Sequence, residues 1–301
     1  MIRSLVTGGA GFIGSHIIDK LINLNHEVIC IDNEYADNEM FHWNKDAKNY
    51  KLDILEIESI KDLFKNVDYV FHCAAESRIG PAIENPINAT RINVIGTCNI
   101  LQCARENNIK KVIYSSTSSG YGNNECPNVE TQIDDCLNPY SVSKIAGEKL
   151  CKMYSELFEL PTIIFRYFNV YGERAPQKGQ YCPVIGIFLR QNKADQKLTI
   201  VGDGSQRRDF VYVGDVADAN IIAAIKDIDS KYYGTNFNIG SGYNISIREI
   251  ANFISQDQVF IPKRKGEVQQ NLANIKKSIN VLGWKPKVSV EEWVKSQNLL
   301  T

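Results

Sequence analysis

The sequence predicts an α/β protein: a doubly wound parallel sheet followed by a smaller α+β lobe. Three observations carry this. Short apolar runs alternate with helical patterns up to Gly172, as successive βαβ units require. Glycines follow the first of those runs at once. After Gly172 the texture changes to a polar stretch with Pro and Gly, Arg174 to Gln180, and then to shorter mixed segments. We therefore expect one domain over 1–172 and a second over 173–301, with some segments of the second packing back on the first.

The elements follow in order. Residues 2–7 read as a buried strand. Ile13, Ile17, Ile18, Leu21 and Ile22 recur at helical spacing over 12–24. Residues 27–31 are β-branched and strand-like, and 57–65 look helical. Tyr69–Cys73 is a buried strand ending in Ala74-Ala75. A long helix is expected over 86–107, with Pro86 in its first turn. Lys111–Ser116 is another buried strand, 141–158 a second long helix, and Thr162–Phe165 again a strand. Beyond the polar stretch, strands at 199–201, 209–213 and 235–239 alternate with helices near 183–192, 214–226 and 246–255, which suits the smaller lobe.

Bulk properties narrow the function classes. The 301 residues suit about two domains at roughly 150 residues each. Thirty-four basic and 35 acidic residues give a net charge of −1, so no basic excess argues for a nucleic-acid partner. No run approaches the ~18 apolar residues of a membrane span. The apolar start is too short for a signal peptide, which points to a cytoplasmic protein. Eight cysteines contain no C-x-x-C pair and read as reduced, mostly buried thiols. Four histidines lie near no other candidate ligands, so no metal site is expected.

Thr7-Gly8-Gly9-Ala10-Gly11-Phe12-Ile13-Gly14 sits between a predicted strand and a predicted helix. That context makes it a dinucleotide fingerprint and the fold Rossmann-type. Gly8 permits the sharp turn, Gly11 lets the backbone approach a pyrophosphate, and Gly14 allows close helix–strand packing. The helix N-terminus then holds the phosphates. Asp32 ends the second strand, where a carboxylate accepts from a ribose diol and repels a 2′-phosphate. No Lys or Arg sits beside it in Ile31-Asp32-Asn33-Glu34, so the expected cofactor is NAD rather than NADP. Asp53, before Ile54, either caps the adenine edge or serves a strand-end turn.

Tyr140 and Lys144 stand four apart at a predicted helix start, one turn from each other on one face. A free phenol, with pKa about 10, is a poor base at neutral pH. A neighbouring ammonium and an oxidised nicotinamide both favour the phenolate and lower that value. Ser115 to Ser119 places several hydroxyls just after a buried strand, at the sheet edge where ligands bind.

These motifs in this order resemble the extended short-chain dehydrogenase/reductases of the NAD-dependent epimerase/dehydratase family. The resemblance runs from Thr7–Gly14 and Asp32 through His72-Cys73-Ala74-Ala75, Asn93 in Asn93-Val94-Ile95-Gly96-Thr97, Tyr140/Lys144 and Arg166-Tyr167-Phe168-Asn169. It continues through Gly202-Asp203-Gly204, Arg208-Asp209-Phe210 and Asn238-Ile239-Gly240 to Arg264-Lys265-Gly266-Glu267 and Leu282-Gly283-Trp284. By that resemblance Thr117 is the triad hydroxyl, Tyr140 the base and Lys144 its electrostatic partner. Asn33, Ile54, Cys73, Ala74, Ala75, Asn93, Ser115 and Tyr167 join the cofactor site. The implied substrate is a nucleotide-diphosphate sugar. Arg208, Arg264 and Asn169 would face its diphosphate and Glu267 the uridine ribose. Val184 and Val201 align with base-pocket positions, though either also suits a core. Gly120 stands where relatives usually carry a small apolar residue. Asn271 stands near where a bulky aromatic narrows the sugar pocket; it either admits a 2-acetamido group or is an incidental loop residue. Dimerisation through the helices over 86–107 and 141–158 is likewise implied.

Dehydratases of this family resemble Thr-Asp-Glu at the triad hydroxyl, and UDP-glucuronate decarboxylases Thr-Ser-Glu. Here Thr117-Ser118-Ser119 offers no carboxylate, so elimination lacks its acid/base pair. A reversible hydride transfer remains, which favours a 4-epimerase of UDP-glucose or UDP-N-acetylglucosamine. A 4-keto reductase or another sugar-modifying relative is the alternative, and a noncatalytic dinucleotide sensor the distant one. The chain ends soon after Trp293, which implies shortened terminal helices.

Overall fold

The computed structural model describes residues 1–36, 41–176, 183–262 and 268–298. The first half delivers β1 (Arg3–Thr7), α1 (Phe12–Asn23), β2 (Glu27–Asp32), β3 (Lys48–Lys51) and α2 (Ile57–Ile60). It continues through β4 (Tyr69–His72), α3 (Ile79–Glu84), α4 (Pro86–Thr90), α5 (Thr97–Glu106), β5 (Lys111–Thr117), α6 (Pro139–Phe158) and β6 (Thr162–Tyr167). The second half adds β7 (Asn169–Tyr171), α7 (Val184–Lys193), β8 (Leu198–Val201), β9 (Arg207–Tyr212) and α8 (Val213–Ile225). β10 (Thr235–Ile239), β11 (Asn244–Ser246), α9 (Ile247–Ile254), β12 (Gln258–Ile261) and α10 (Val290–Asn298) close it.

Seven strands form one parallel sheet in the order β3-β2-β1-β4-β5-β6-β10. The strands are continuous apolar runs because both faces are covered. On one face Ile17, Ile18 and Leu21 of α1 meet Val216, Ala217 and Ala219 of α8 over Val6, Phe165 and Phe237. On the other, Leu101 and Ala104 of α5 and Cys151 and Tyr154 of α6 pack over Leu5, Val70 and Ile164. Strand order reverses between β1 and β4, so a crevice opens at their carboxyl ends.

Three departures from expectation have physical causes. β3 reads Lys48-Asn49-Tyr50-Lys51 and is exposed throughout. Its pairing with β2, not apolar alternation, makes it a strand. The helix expected over 86–107 forms as α4 and α5 joined by a π turn at Arg91–Gly96. The strand at 235–239 forms, but it pairs with β6 at the edge of the large sheet rather than within the lobe. β7, β9 and β11 form a second sheet, and β8 and β12 a third. They share a separate core built from Phe188, Ile200, Phe210, Ile250 and Val294.

Candidate active site

A cavity of about 510 Å³ occupies the crevice. Gly8, Gly11, Phe12, Ile13 and Gly14 form one wall, with Asp32, Asn33, Asp53 and Ile54 beyond them. Gly8 adopts φ +66°, and a Cβ there would fall 2.7 Å from the Ala74 nitrogen. A Cβ on Gly14 would fall 2.2 Å from the Gly8 carbonyl oxygen, so only glycine lets α1 begin this close to β1. No side chain caps α1 and no acidic residue stands in its first turn, which leaves N–H groups for an anion. Asp32 accepts from the Ala10 N–H at 3.1 Å and the Glu34 N–H at 2.8 Å. Burial pushes its carboxyl above the usual aspartate value. Asp53 Oδ1 accepts from the Leu55 N–H at 2.8 Å and Oδ2 from Asn33 Nδ2 at 3.0 Å. Asp53 thus serves its turn while also lining the cavity. Uncapped helix, bare backbone and strand-end carboxylate together fit a dinucleotide.

The opposite wall holds Cys73, Ala74, Ala75, Ser115, Tyr140, Lys144 and Tyr167. Tyr140 is in the first turn of α6 because Asn138 caps that helix. Asn138 accepts from the Ser141 N–H at 2.9 Å, the Ser141 hydroxyl reaches back to the Asn138 N–H, and Pro139 presets the turn. Lys144 is buried, with Nζ 4.2 Å from the Tyr114 ring centroid. Burial pushes its ammonium down to about 8. Burial raises the Tyr140 phenol above its ordinary value, against a downward pull from the Thr117 hydroxyl. The half-buried phenolate loses hydration here, while the ammonium is turned to the Tyr114 ring.

Behind this wall a hydrogen-bond chain joins the glycine turn to α6. The Ala74 N–H donates to Thr7 Oγ1, which contacts His72 Nδ1 at 2.7 Å. His72 Nε2 contacts Thr97 Oγ1 at 2.9 Å, and that hydroxyl donates to the Asn93 carbonyl. Because Thr97 donates onward, the ring carries its proton on Nε2 and accepts from Thr7. Asn93 is fully buried rather than on the cavity wall. Its Nδ2 donates to the Glu76 carbonyl at 3.0 Å and to Ser143 Oγ at 2.9 Å, and its Oδ1 accepts from the Glu76 N–H.

The residues expected on the sugar side make contacts within the protein. Thr117 ends β5 beside Tyr140, buried, its Oγ1 accepting from the Ser119 N–H at 3.1 Å. Thr117, Asn169, Val184, Val201, Arg208 and Asn271 do not line this cavity. Asn169 Nδ2 donates to the Asp209 carbonyl at 2.7 Å and to Asn271 Oδ1 at 3.3 Å. Both amide hydrogens are thereby used, because β7–β9 pairing sets Asn169 opposite Phe210. Asn271 Oδ1 also accepts from the Asp209 N–H at 2.9 Å. Arg208 Nη1 donates to the carbonyls of Arg207 and Gln269. Val184 starts α7 and Val201 ends β8, both half-buried. Arg264 and Glu267 lie outside the described residues. Gly120 has a packing reason: a Cβ would meet Ile145 Cδ1 of α6 at 2.4 Å. Sequence reasoning missed Tyr35, Arg78 and Glu84 on the cavity wall. Position just beyond the carboxyl end of β4 was the signal available for Arg78.

Fold and site define a dinucleotide-binding enzyme class with a Tyr/Lys pair on the wall of its crevice. The model of the NAD dependent epimerase/dehydratase family matches residues 4–240, and the chain belongs to that family. It is 40% identical over 300 residues to a putative UDP-glucose 4-epimerase of Methanocaldococcus jannaschii, covering 97% of this chain and 95% of the relative. A UDP-N-acetyl-α-D-glucosaminuronate decarboxylase of Bacillus cytotoxicus is 39% identical over 264 residues, covering 84% and 79%. Among solved structures, UDP-glucose 4-epimerase of Thermotoga maritima with UDP-glucose superposes with a TM-score of 0.91 at 34% identity, covering 99% of this chain and 98% of that one.

Proposed function

We propose that this chain is an NAD-dependent 4-epimerase of a nucleotide-diphosphate hexose, either UDP-glucose/UDP-galactose or their 2-acetamido counterparts. The observation that carries the reading is Tyr140 and Lys144 on the cavity wall, with Thr117 beside them and no carboxylate at Ser118 or Ser119. NAD, when bound, supplies a hydride acceptor that later returns what it took. Tyr140 removes the proton of the sugar 4-hydroxyl and gives it back on the other face. Thr117 steadies that oxygen through its hydroxyl. Lys144, a cation below about pH 8, favours the Tyr140 phenolate against the cost of burial. Gly8, Gly11 and Gly14 seat the pyrophosphate and Asp32 orients the adenosine ribose.

The same reading gives Arg208, Arg264 and Asn169 to the diphosphate, Glu267 to the uridine ribose, Val184 and Val201 to the base, and Asn271 to the sugar. Asn169 reaches a phosphate as donor only after releasing Asp209 or Asn271. A division near Gly172 separates cofactor and sugar-binding parts. The protein acts in the cytoplasm, as seven free cysteines among the described residues suit. It pairs as a homodimer through α4–α6, where Ile87, Ile95 and Val142 are more than half exposed. No helix among the described residues is long and apolar enough to cross a membrane.

Likeness to a decarboxylase favours a second reading, loss of CO₂ from a UDP-hexuronate. The absence of a carboxylate at 118–119 weighs against it. Purified protein is incubated with UDP-glucose and UDP-N-acetylglucosamine together, and in a second tube with UDP-glucuronate, while anomeric protons are followed by NMR. New galacto-configured signals in the first tube support 4-epimerisation and identify the sugar. A pentose signal in the second, with none in the first, replaces the proposal.

A further inference from the structure

Helix α6 carries Tyr140, Lys144 and Glu148 at successive four-residue steps, on one face. Glu148 is buried, yet its carboxylate binds three other elements. Ser116 Oγ of β5 donates to Oε1 at 2.5 Å. Arg166 of β6 donates from Nε to Oε1 at 2.9 Å and from Nη2 to Oε2 at 2.6 Å. Asn236 of β10 donates to Oε2 at 2.9 Å. Arg166 is itself held by Asp134 at 2.6 Å and lies 4.6 Å over the Tyr121 ring.

From this we infer that Glu148 is a positioning residue: it fixes the register of α6 on the strand that ends in Thr117 and supplies the charge that faces Lys144. The first part follows from adjacency. Ser116 precedes Thr117, so one bond ties the strand carrying the hydroxyl to the helix carrying the base. A bidentate Arg–carboxylate pair resists both sliding and rotation of the helix. The second part follows from what surrounds Lys144. The Tyr114 ring of β5 lies under it, His72 and Cys73 face it from the end of β4, and Cys151 and Glu148 face it from its own helix. Burial keeps Tyr114, Cys73 and Cys151 protonated and His72 unprotonated near neutral pH, so all four are neutral. Among the described residues facing Lys144, Glu148 is the carboxylate, and its oxygens accept four donated bonds, two of them from the Arg166 guanidinium.

The inference rests on the reading of Tyr140 and Lys144 given above, and the test separates the two. Wild-type protein, Tyr140→Phe, Glu148→Gln and Ser116→Ala are compared with the UDP-sugar that the NMR experiment identifies. Tyr140→Phe at the wild-type rate would refute the site reading itself. With Tyr140→Phe inactive, Glu148→Gln is expected to lower kcat by ~10- to 100-fold, the scale of a displacement near 1 Å. KM and the content of bound NAD stay within about twofold of wild type. The basic limb of the kcat profile moves to lower pH, because Lys144 loses its proton more easily without the carboxylate. A merely structural carboxylate would lower yield and NAD content together and leave that limb in place; this outcome overturns the inference. Ser116→Ala keeps the ion pair, and it decides if Glu148→Gln does not fold. A several-fold loss of kcat at constant KM, with the limb unmoved, supports the inference. Wild-type kcat in Ser116→Ala overturns it.

Discussion

Replacing Gly14 by alanine tests the cofactor cradle. A Cβ at this position lies 2.2 Å from the Gly8 carbonyl oxygen and 2.8 Å from the Gly9 Cα. Ordinary contact begins near 3.4 Å. Both neighbours are backbone, so no side chain can turn aside, and the start of α1 must retreat by roughly 1 Å. Alanine gains about 1 kcal/mol of helix propensity over glycine. Overpacking typically costs about 1–3 kcal/mol, and here it falls on backbone. The net loss is therefore about 0–2 kcal/mol, at most several degrees in Tm. Cofactor binding suffers more, because the N–H groups of that turn are the proposed phosphate donors. A misplacement of this size costs on the order of 100-fold where geometry is strict. Purified Gly14→Ala is stripped of nucleotide, titrated with NAD by calorimetry, and melted without it. Wild-type affinity together with wild-type Tm would show that α1 tolerates the methyl and that the close approach is incidental.

Three further outcomes are expected. His72 is buried between Thr7 and Thr97, and burial pushes its pKa down to about 3. Its folded value lies below the unfolded one, near 6.5, so the neutral ring's contribution is complete above pH ~6.5 and is lost as pH falls toward 3; at pH 5 this amounts to about 2 kcal/mol. Urea midpoints at pH 7.5, 6 and 5 should fall for wild type and fall less steeply for His72→Gln; parallel slopes count against the assignment. Gly147→Ala places a methyl 2.1 Å from the Tyr114 hydroxyl, which donates to the Lys144 carbonyl and whose ring supports Lys144. Its kcat should drop ~10-fold or more with NAD still bound, whereas full activity would mean that Tyr114 moves without disturbing Lys144. Ile87→Asp combined with Ile95→Asp should convert the proposed homodimer to monomer in sedimentation, and a wild type that already sediments as monomer, or an unchanged dimer mass, would remove α4–α6 as the interface.

The doubly wound sheet was legible because its strands are continuous apolar runs and its helices repeat at period 3.6. The glycine wall of the crevice was legible because backbone chemistry constrains it: only glycine allows the Gly8 turn and the approach at Gly14, and a strand-end carboxylate marks Asp32. Local chemistry also fixed the α6 start, through Asn138, Pro139 and Ser141. All these signals lie within one or two turns of chain.

What sequence left undecided depends on distant partners. β3 has no apolar pattern and exists through pairing with β2. Asn93 reads as a cofactor contact, but tertiary packing turns it inward to Glu76 and Ser143. Asn169 and Asn271 become partners across more than a hundred residues of chain. Burial pushes the Tyr140 phenol up, and that burial is set by every element around it rather than by the residues one turn away. Glu148 carries no local signature at all. Its role emerges only where β5, β6 and β10 close on α6, since a carboxylate's hydrogen-bond partners and its distance from other charges are properties of the folded chain.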